Sequence, residues 1–439
     1  MAISITDWHA LAKIGKDSNY PLDGDYVLEN DLDEYTDGYD QNASYEANAT
    51  APGSAASTTM GYGDGEKTEF EFRIDGVHIY YIATVDEITV GGSVVTDYTV
   101  DYTNGLVTFS DPPSDEEKVE ADFTYYGAWE PIGGESGEFT GSFDGQNYKI
   151  KDLLINRRTV PEIGLFARCS NAHLYNINIE NYTIWGEARV GALAGEFTDE
   201  GSIEGCLTKG SMISYRDSIG GLVGECSNDT DTPAMTIENC VCEGTIEHKD
   251  TSSNGYDGIG GVIGHVISNI NILDCYSNCN IVDIVNSNNN TGCGGIVGYA
   301  IVDEMDLYIY HCCYNGEITS RRKATGGIVG YSDNYYENKG LKIENSYCCS
   351  DIINDNASDN FGGIVGYSNN HNYIIDCHFN GNIKKGSNVT ESSYTPEKVG
   401  GIFGHIEKYG FVSNCYATGE IYGSTDLGGI GGRMESIDV

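Results

Sequence analysis

The sequence predicts an all-β protein built on a right-handed parallel β-helix, which is a solenoid of stacked coils. Three observations predict this fold. Glycine is abundant, at 57 of 439 residues, whereas proline is scarce, at 8. A glycine-rich box recurs along the chain, and the segments between boxes hold short apolar strands without a helical period. One coil cannot bury its own apolar face, but stacked coils bury it continuously.

The glycine box reads Gly-Gly-Ile-Val-Gly-Tyr in its clearest form. Its copies, which degenerate towards both ends as capping repeats do, begin at Gly164, Gly191, Gly220, Gly260, Gly294, Gly326, Gly362, Gly400 and Gly428. We expect glycine here either because a corner of the coil needs positive φ, or because neighbouring coils approach too closely for a side chain. A spacing of about 4.8 Å between coils predicts a column of roughly 43 Å.

A second element, Ile-x-Asn-Cys-Tyr-x-x-Gly-x-Ile, follows the boxes and is clearest at Val412–Ile421. Its register places small side chains in one column, at Cys206, Cys240, Cys275, Cys312, Ser346, Cys377 and Cys415. We interpret this column as an inward structural ladder, because small, polarizable sulfur suits a narrow core. Metal or redox chemistry is the alternative, but Cys240-x-Cys242 lacks zinc-knuckle spacing and the column has no His partners. We assign no disulfides.

The charge of the chain limits its partners. Acidic residues outnumber basic ones 67 to 24, which gives a formal net charge of −43. Nucleic-acid binding is excluded, because phosphates need Lys and Arg to displace their counterions. The acidity indicates either an environment of high ionic strength, which we favour because the excess runs through the whole chain, or an ordinary acidic surface with some calcium binding. No stretch is apolar enough to span a bilayer, and Met1–Trp8 lacks the features of a secretory signal.

One acidic stretch could hold Ca²⁺ through oxygen ligands. It comprises Asp23, Asp25, Asp31, Asp33, Asp37 and Asp40. It lacks EF-hand spacing, and a solvated acidic loop is the alternative. No other cofactor is expected.

The boxes resemble the GLUG repeat, named for its Gly-Leu-x-Gly core and found in bacterial and archaeal surface proteins and some viral ones. The resemblance covers about residues 161–432 and implies a β-helix. Upstream, Trp8, Leu11 and Ile14 have helical spacing, with Thr6 or Asp7 as N-cap. A strand at 26–32 follows, but its usual continuation appears only from residue 129, so we expect an insert between them.

The insert is predicted to be a small antiparallel β-sandwich. It opens with a linker over 42–61 and continues as strands over 68–74, 87–90, 98–102, 106–109 and 119–125, separated by turn signals such as Gly91-Gly92 and Asn104-Gly105. It resembles a β module that recurs in tailed-phage virion proteins. The chain is therefore divided into a capping helix and first β-helix strand (1–40), the inserted sandwich (41–126) and the β-helix (127–439).

The residue after each glycine box forms a further column, which we expect to be exposed. Tyr299, Tyr331 and Tyr367 would form an aromatic strip in it, on which a sugar ring could lie. The alternative is a ladder of stacked rings that only stiffens the coils. Standard catalytic signatures such as His-Glu-x-x-His and Gly-x-Ser-x-Gly are absent from the sequence, so no catalytic residue is assigned.

These observations and resemblances favour a virion appendage, a tail fibre or tailspike that binds a glycan or protein receptor on a host cell. The viral resemblance implies a homotrimer attached to other tail proteins, and hence a location in the virion. A cell-surface adhesin of the GLUG type is the first alternative. A tailspike that cleaves polysaccharide is the second, because parallel β-helices can present paired carboxylates.

Overall fold

A computed structural model describes residues 2–39, 58–74, 77–79, 82–125, 129–134, 137–216, 218–228, 235–249, 258–267, 269–283, 291–303, 305–335, 339–356, 358–389 and 396–435. The chain divides into two compact units. Unit 1 comprises Met1–Thr36, Pro131–Leu153 and Val160–Val439, and unit 2 comprises Asp37–Glu130 and Leu154–Thr159.

Unit 1 is a parallel β-helix, so the predicted fold class is confirmed. Each complete coil contributes, in chain order, strands to four parallel sheets, which we call sheets 1 to 4. Sheet 1 comprises Ile3–Ile5, Asp25–Leu28, Ser142–Asp144, His173–Tyr175, Ser202–Glu204, Met235–Glu238, Ile270–Leu273, Leu307–Tyr310, Leu341–Glu344, Asn372–Ile375 and Gly410–Ser413. Sheet 2 includes Lys149–Lys151, Asn178–Gly186, Leu207–Ser214, Val241–His248, Tyr276–Asp283, Cys313–Tyr314, Ile318–Ser320, Tyr347–Cys348, Ile352–Asn354, His378–Asn380, Ile383–Lys385 and Tyr416–Thr418.

The glycine boxes form the tight connection between the other two sheets. Sheet 3 comprises Val190–Gly191, Ile219–Gly220, Gly258–Gly260, Gly292–Gly294, Ala324–Gly326, Phe361–Gly362, Val399–Gly400 and Leu427–Gly428. Sheet 4 comprises Phe166–Ser170, Ala194–Thr198, Val223–Ser227, Ile263–Ile267, Val297–Val302, Val329–Asn334, Val365–Ser368, Phe403–Ile406 and Gly431–Met434.

The interior of the β-helix is filled by apolar side chains stacked in register. Ile237, Ile272, Ile309 and Ile343 are consecutive partners in sheet 1, and all four are fully buried. Full burial of one such side chain contributes roughly 1.5–3 kcal/mol. Since side chains alternate across a strand, the intervening residues of sheet 1 point outwards.

Close approach, and not positive φ, explains the glycine box. A Cβ on Gly327 would lie well within 3.0 Å of the Gly363 carbonyl oxygen in the next coil and of the Cys348 side chain across the interior. Left-handed φ occurs instead at the corner from sheet 1 to sheet 2, in the residue before each ladder position. Asn239, Asp274, His311, Asn345, Asp376 and Asn414 have φ between 50° and 58° there. Asn and Asp tolerate this conformation better than most residues, because their short polar side chains can hydrogen-bond locally.

The first coils of unit 1 are formed by two segments that lie on either side of the insert in the sequence. The α-helix Trp8–Ala12 begins after Asp7, whose carboxylate accepts a hydrogen bond from Ala10 N at 2.7 Å. The strand Asp25–Leu28 pairs in parallel with Ser142–Asp144, although more than a hundred residues separate them in sequence.

No helix in the described part of the chain is long and apolar enough to cross a membrane.

Unit 2 contains the antiparallel insert. One sheet orders the strands Thr58–Tyr62, Lys118–Tyr125, Ile82–Val90 and Ser93–Val94, a second orders Glu69–Glu71, Leu106–Phe109 and Tyr98–Asp101, and Arg73–Ile74 pairs with Val77–His78. The strand Leu154–Arg157 also belongs to this unit. The ring centroids of Phe72 and Phe123 lie 4.9 Å apart inside a single apolar core. The predicted linker over 42–61 is wrong at its end, where 58–61 lie in a strand, and 42–57 lie outside the described residues.

Candidate functional site

The predicted cysteine column lies inside the β-helix, at the first position after the corner from sheet 1 to sheet 2. Its members are fully or almost fully buried, except for the partly buried Cys415. Each thiol donates to the carbonyl oxygen two residues earlier, as Cys275 Sγ does to Leu273 O at 3.2 Å. Ser346 Oγ donates in the same way to Glu344 O at 2.9 Å. The common bond explains why serine replaces cysteine in one coil.

The buried thiols have no features of a reactive centre. Burial raises the pKa of Cys240 and Cys312 well above the ordinary thiol value, because it disfavours the thiolate. All fourteen cysteines are free. Since the thiolate is the nucleophile and the metal ligand, the geometry gives these side chains a packing role.

The structure corrects the expectation of an exposed strip at Tyr299, Tyr331 and Tyr367. The three rings do stack, with centroids 5.2 Å and 4.5 Å apart, and they continue a column along sheet 4. However, Tyr299 is 0% and Tyr331 5% exposed, and Tyr367 is partly buried. Neither of the first two rings therefore has a face free for a sugar.

The tight glycine box explains this burial. Because it folds sheet 3 back against sheet 4, the first residues of the sheet 3 strands lie against the tyrosine column. Ala324 belongs to the same buried cluster as Tyr299 and Tyr331, and a Cβ on Gly292 would lie within 3.0 Å of Tyr331 Cβ. Small residues there leave room for the rings, which pack the notch between the two sheets.

The exposed aromatic side chains lie elsewhere, on the outer surface of sheets 1 and 2 in the C-terminal coils. We call this surface the aromatic face, and it consists of Tyr308, Tyr310, Tyr373 and Phe411 on sheet 1 and Tyr347, His378 and Tyr416 on sheet 2. Phe411 is 51% and Tyr416 50% exposed. Neighbouring exposed aromatic rings mark binding surfaces more often than isolated ones do.

The rings on sheet 1 are spaced apart. Tyr373 and Phe411 are register partners, and their centroids lie 6.2 Å apart with planes tilted by 46°. This distance and tilt leave the rings without full face-to-face contact.

Charged side chains lie beside the sheet 1 rings. Lys342 Nζ lies 5.8 Å from the centroid of Tyr373. Tyr308 Oη donates to Glu344 Oε2 at 3.2 Å, and burial together with this carboxylate raises the pKa of Tyr308 to about 12.

The rings on sheet 2 form a regular stack. Tyr347, His378 and Tyr416 are register partners in successive coils, with centroids 4.8 Å and 5.0 Å apart and planes within 5° of parallel. Burial lowers the pKa of His378, which favours the neutral ring at physiological pH. These rings contact one another, so a ligand would meet their edges and the phenolic hydroxyls.

Polar side chains separate the two aromatic columns at the corner residues. Asn414 Nδ2 donates to Asp376 Oδ1 at 2.7 Å, and His311 Nδ1 lies 2.5 Å from Asp274 Oδ1. Aromatic rings beside carboxylate and amide groups suit a ligand with both apolar faces and hydroxyl groups. A carbohydrate has both.

The sequence contains a signal for this face, but it lies in the second repeated element and not in the column of residues after the glycine boxes. The motif Asn-Cys-Tyr places Tyr416 directly after the ladder residue Cys415. Because strand side chains alternate, a residue next to an inward cysteine points outwards. The same rule applies to Tyr347 beside Ser346 and to Tyr276 beside Cys275.

The acidic stretch near the N-terminus is engaged with other parts of unit 1. Asp25 Oδ1 accepts from Ser142 Oγ at 2.7 Å, and Asp31 Oδ1 accepts from Lys149 N at 2.9 Å. Asp40 lies outside the described residues. Within the described ranges, no group of three or more His, Cys, Asp or Glu side chains is placed to hold a metal ion.

Comparison with known proteins places similar sequences in much longer chains. An immunoglobulin A1 protease of Streptococcus sanguinis is 28% identical over 227 residues, which is 51% of this chain and 11% of the relative. Halomucin of Haloquadratum walsbyi is 34% identical over 105 residues, which is 24% of this chain and 1% of the relative. An immunoglobulin A1 protease of Streptococcus pneumoniae is 24% identical over 220 residues, or 50% of this chain and 10% of the relative.

This chain therefore spans about a tenth or less of the length of the curated relatives it matches. No family model matches the chain. The resemblance to the GLUG repeat thus remains a statement about the recurring motifs, while the β-helix that it implied is present.

Proposed function

We propose that this chain is a binding segment of a cell-surface protein of the adhesin type and that it holds a carbohydrate-bearing ligand on the aromatic face. The observation that carries the proposal is the exposure of aromatic rings in coils that are covered on both sides, with Tyr310 37% and Tyr373 38% exposed, beside polar corner residues such as Asp376. Aromatic rings supply contact area at a low entropy cost, and the polar groups orient the ligand.

The relatives support a module rather than a whole enzyme. Related segments occur in proteins named for a protease and for a mucin, and the match covers about a tenth or less of each. Similarity to short parts of proteins with such different names favours a shared scaffold over the part that performs the protease's chemistry. Fold alone does not assign function, so the aromatic face carries the argument.

Retention on immobilised polymers tests the proposal. The panel contains cellulose, chitin, mannan, alginate and a mucin glycoprotein. We expect at least one polymer to retain the chain, and the triple variant Tyr310→Ser, Tyr373→Ser, Tyr416→Ser to lose at least tenfold in affinity. The matched control is Tyr35→Ser, because Tyr35 is highly exposed but lies in the first coils. Equal retention of the triple variant and the wild type would refute the aromatic face as the site.

The virion appendage is the second candidate function, and the antiparallel insert is the observation that favours it. The relatives reported above give it no support. Finding the coding sequence among capsid and tail genes would favour it, whereas a neighbourhood of cell-envelope genes would not. The homotrimer implied by the viral resemblance stays a prediction, and sedimentation equilibrium of the purified chain tests it.

Cleavage of a bound polysaccharide is tested in the same panel. Each soluble polymer is incubated with the chain and its size is followed by gel filtration. We expect binding without shortening, because the aromatic face supplies contacts and the sequence assigns no acid–base pair to it. Shortening that persists in the triple variant would place an enzymatic site elsewhere on the chain.

A further inference from the structure

We infer that the ligand is an extended, uncharged polysaccharide that runs parallel to the stacking axis of the coils, with about one sugar unit for each coil. This inference rests on the proposed function and specifies its ligand. It is carried by the periodicity of the aromatic face, by the repeated backbone geometry of the corner residues and by the charge of the chain.

The aromatic face repeats with the coil. The ring centroids of Tyr347, His378 and Tyr416 lie 4.8 Å and 5.0 Å apart in successive coils, and those of the sheet 1 pair Tyr373 and Phe411 lie 6.2 Å apart. An extended chain of equatorially linked pyranoses advances by a similar distance for each sugar. A polysaccharide aligned with the axis therefore meets at least one aromatic ring in each of these successive coils, whereas a chain lying across the coils would meet the rings of one coil only.

The polar corner row repeats in the same way. Asn345, Asp376 and Asn414 share a left-handed backbone conformation, with φ of 50°, 53° and 58°. Equal backbone geometry places one amide or carboxylate group between the two aromatic columns in each of these coils. In these three coils, a sugar of an aligned chain thus has one polar corner residue as well as a ring beside it.

Charge favours an uncharged polymer over an acidic one. The chain carries a formal net charge of −43. At the face, Lys342 is already neutralised, because its Nζ lies 2.7 Å from Asp306 Oδ2. Glu344 and Asp376 add negative charge beside the rings. A polymer of uronic acids or sulfated sugars would be repelled, and its Coulomb penalty would grow with length.

The experiment uses the polymer that is retained most strongly and its size-fractionated fragments of two to six sugars, with binding followed by calorimetry. We expect the affinity to rise several-fold with each added sugar and to level off near four units, which span the coils of Tyr308, Tyr347, Tyr373 and Tyr416. Each of Tyr310→Ser, Tyr373→Ser and Tyr416→Ser should weaken binding of the longest fragment several-fold. Tyr35→Ser serves again as the control.

The outcomes separate this inference from the proposed function. A disaccharide that binds as tightly as the hexasaccharide would overturn the axial arrangement but leave the binding function standing. Preferential retention of alginate would overturn the uncharged ligand, again without affecting the function. Retention of the mucin that survives removal of its glycans would replace the polysaccharide by a protein ligand. Retention of no polymer would overturn both.

Discussion

Arg322 and Asp283 form an ion pair in the interior of the β-helix, with Arg322 Nε 2.6 Å from Asp283 Oδ2 and both side chains 0% exposed. His248 joins them, with its Nδ1 3.3 Å from Asp283 Oδ1 and its Nε2 2.8 Å from the Arg216 carbonyl oxygen. The group has no access to solvent, so it cannot act on a substrate. We interpret it as a structural contact that links three successive coils.

The first prediction concerns the pH dependence of this pair. Burial by itself raises the pKa of Asp283, but Arg322 and His248 outweigh it and hold that pKa below the ordinary value. The pair therefore stabilises the fold above the unfolded-state pKa of about 3.9, and this contribution is lost as pH falls through the lower folded-state pKa. At pH 7, Asp283→Asn should lower the free energy of unfolding by about 3–5 kcal/mol.

Urea unfolding of the wild type and Asp283→Asn between pH 3 and pH 7 measures this effect. The difference between the two should shrink as the solution is acidified. Glu180→Gln is the control, since it removes a partly exposed pair in which Lys149 Nζ lies 3.0 Å from Glu180 and should change stability little. A difference that does not depend on pH would contradict the assignment.

The second prediction concerns close approach in the glycine box. A Cβ on Gly363 would lie well within 3.0 Å of the Gly401 carbonyl oxygen and of the Phe379 ring, whereas a Cβ on Gly429 would meet nothing within 4 Å. Gly363→Ala should therefore lower the melting temperature clearly, at a cost of about 1–3 kcal/mol or more. Gly429→Ala should leave it within a degree or two. Similar melting temperatures for both variants would mean that glycine is needed there for another reason.

The third prediction separates the buried tyrosine column from the aromatic face. Tyr331→Ala removes a 5%-exposed ring from the notch between sheets 3 and 4, and it should cost about 3–5 kcal/mol of unfolding free energy. Tyr416→Ala should cost much less, because half of that ring is already exposed. Chemical denaturation of both variants measures the difference. If Tyr331→Ala were as stable as Tyr416→Ala, the column would not have a packing role.

The fourth prediction concerns thiol reactivity. Cys349 is exposed and Cys415 partly buried, whereas the remaining cysteines are buried. In the native chain, a thiol reagent such as DTNB should therefore react fast with Cys349, slowly with Cys415 and with all fourteen only in denaturant. Cys349→Ser should remove the fast phase. Fast reaction of several further thiols would show that the ladder opens readily to solvent.

The fifth prediction concerns salt. With a formal net charge of −43, carboxylates repel one another over much of the surface. Raising the ionic strength from about 0.1 M to 1 M shortens the screening length from about 10 Å to about 3 Å. The melting temperature should rise steadily across this range. A flat response would argue against adaptation to a saline environment.

The repeat could be predicted from sequence because stacking imposes one register on all coils. A cysteine that aligns with its neighbours in sequence, as Cys275 does with Cys312, also aligns in space, since each directly precedes a strand of sheet 2 and those two strands are paired in register. The insert was detectable because the segment that the resemblance places soon after the strand at 26–32 appears only from residue 129. The repeat and the insert could both be predicted because each depends on the distance in sequence between short, recognisable segments.

The outer surface was harder to predict. Tyr331 and Tyr347 both follow a conserved-looking box in the chain, and both neighbour an inward residue. Tyr331 is buried and Tyr347 only partly buried, because sheet 3 packs against the column that holds Tyr331, and no spacing within one coil encodes this packing. The buried pair of Arg322 and Asp283 was equally hard to predict, because the two residues lie 39 positions apart and come into contact only when the coils stack.

By itself, the sequence determined the parallel β-helix, the positions of its glycine boxes and the column that holds Cys275 and Ser346, because these depend on local alternation and on a register repeated from coil to coil. Only the tertiary structure decided which aromatic column faces solvent. The reason is that burial depends on how sheet 3 packs against sheet 4. This packing encloses Tyr331, whereas Tyr373 lies on the outer surface of sheet 1 and stays 38% exposed.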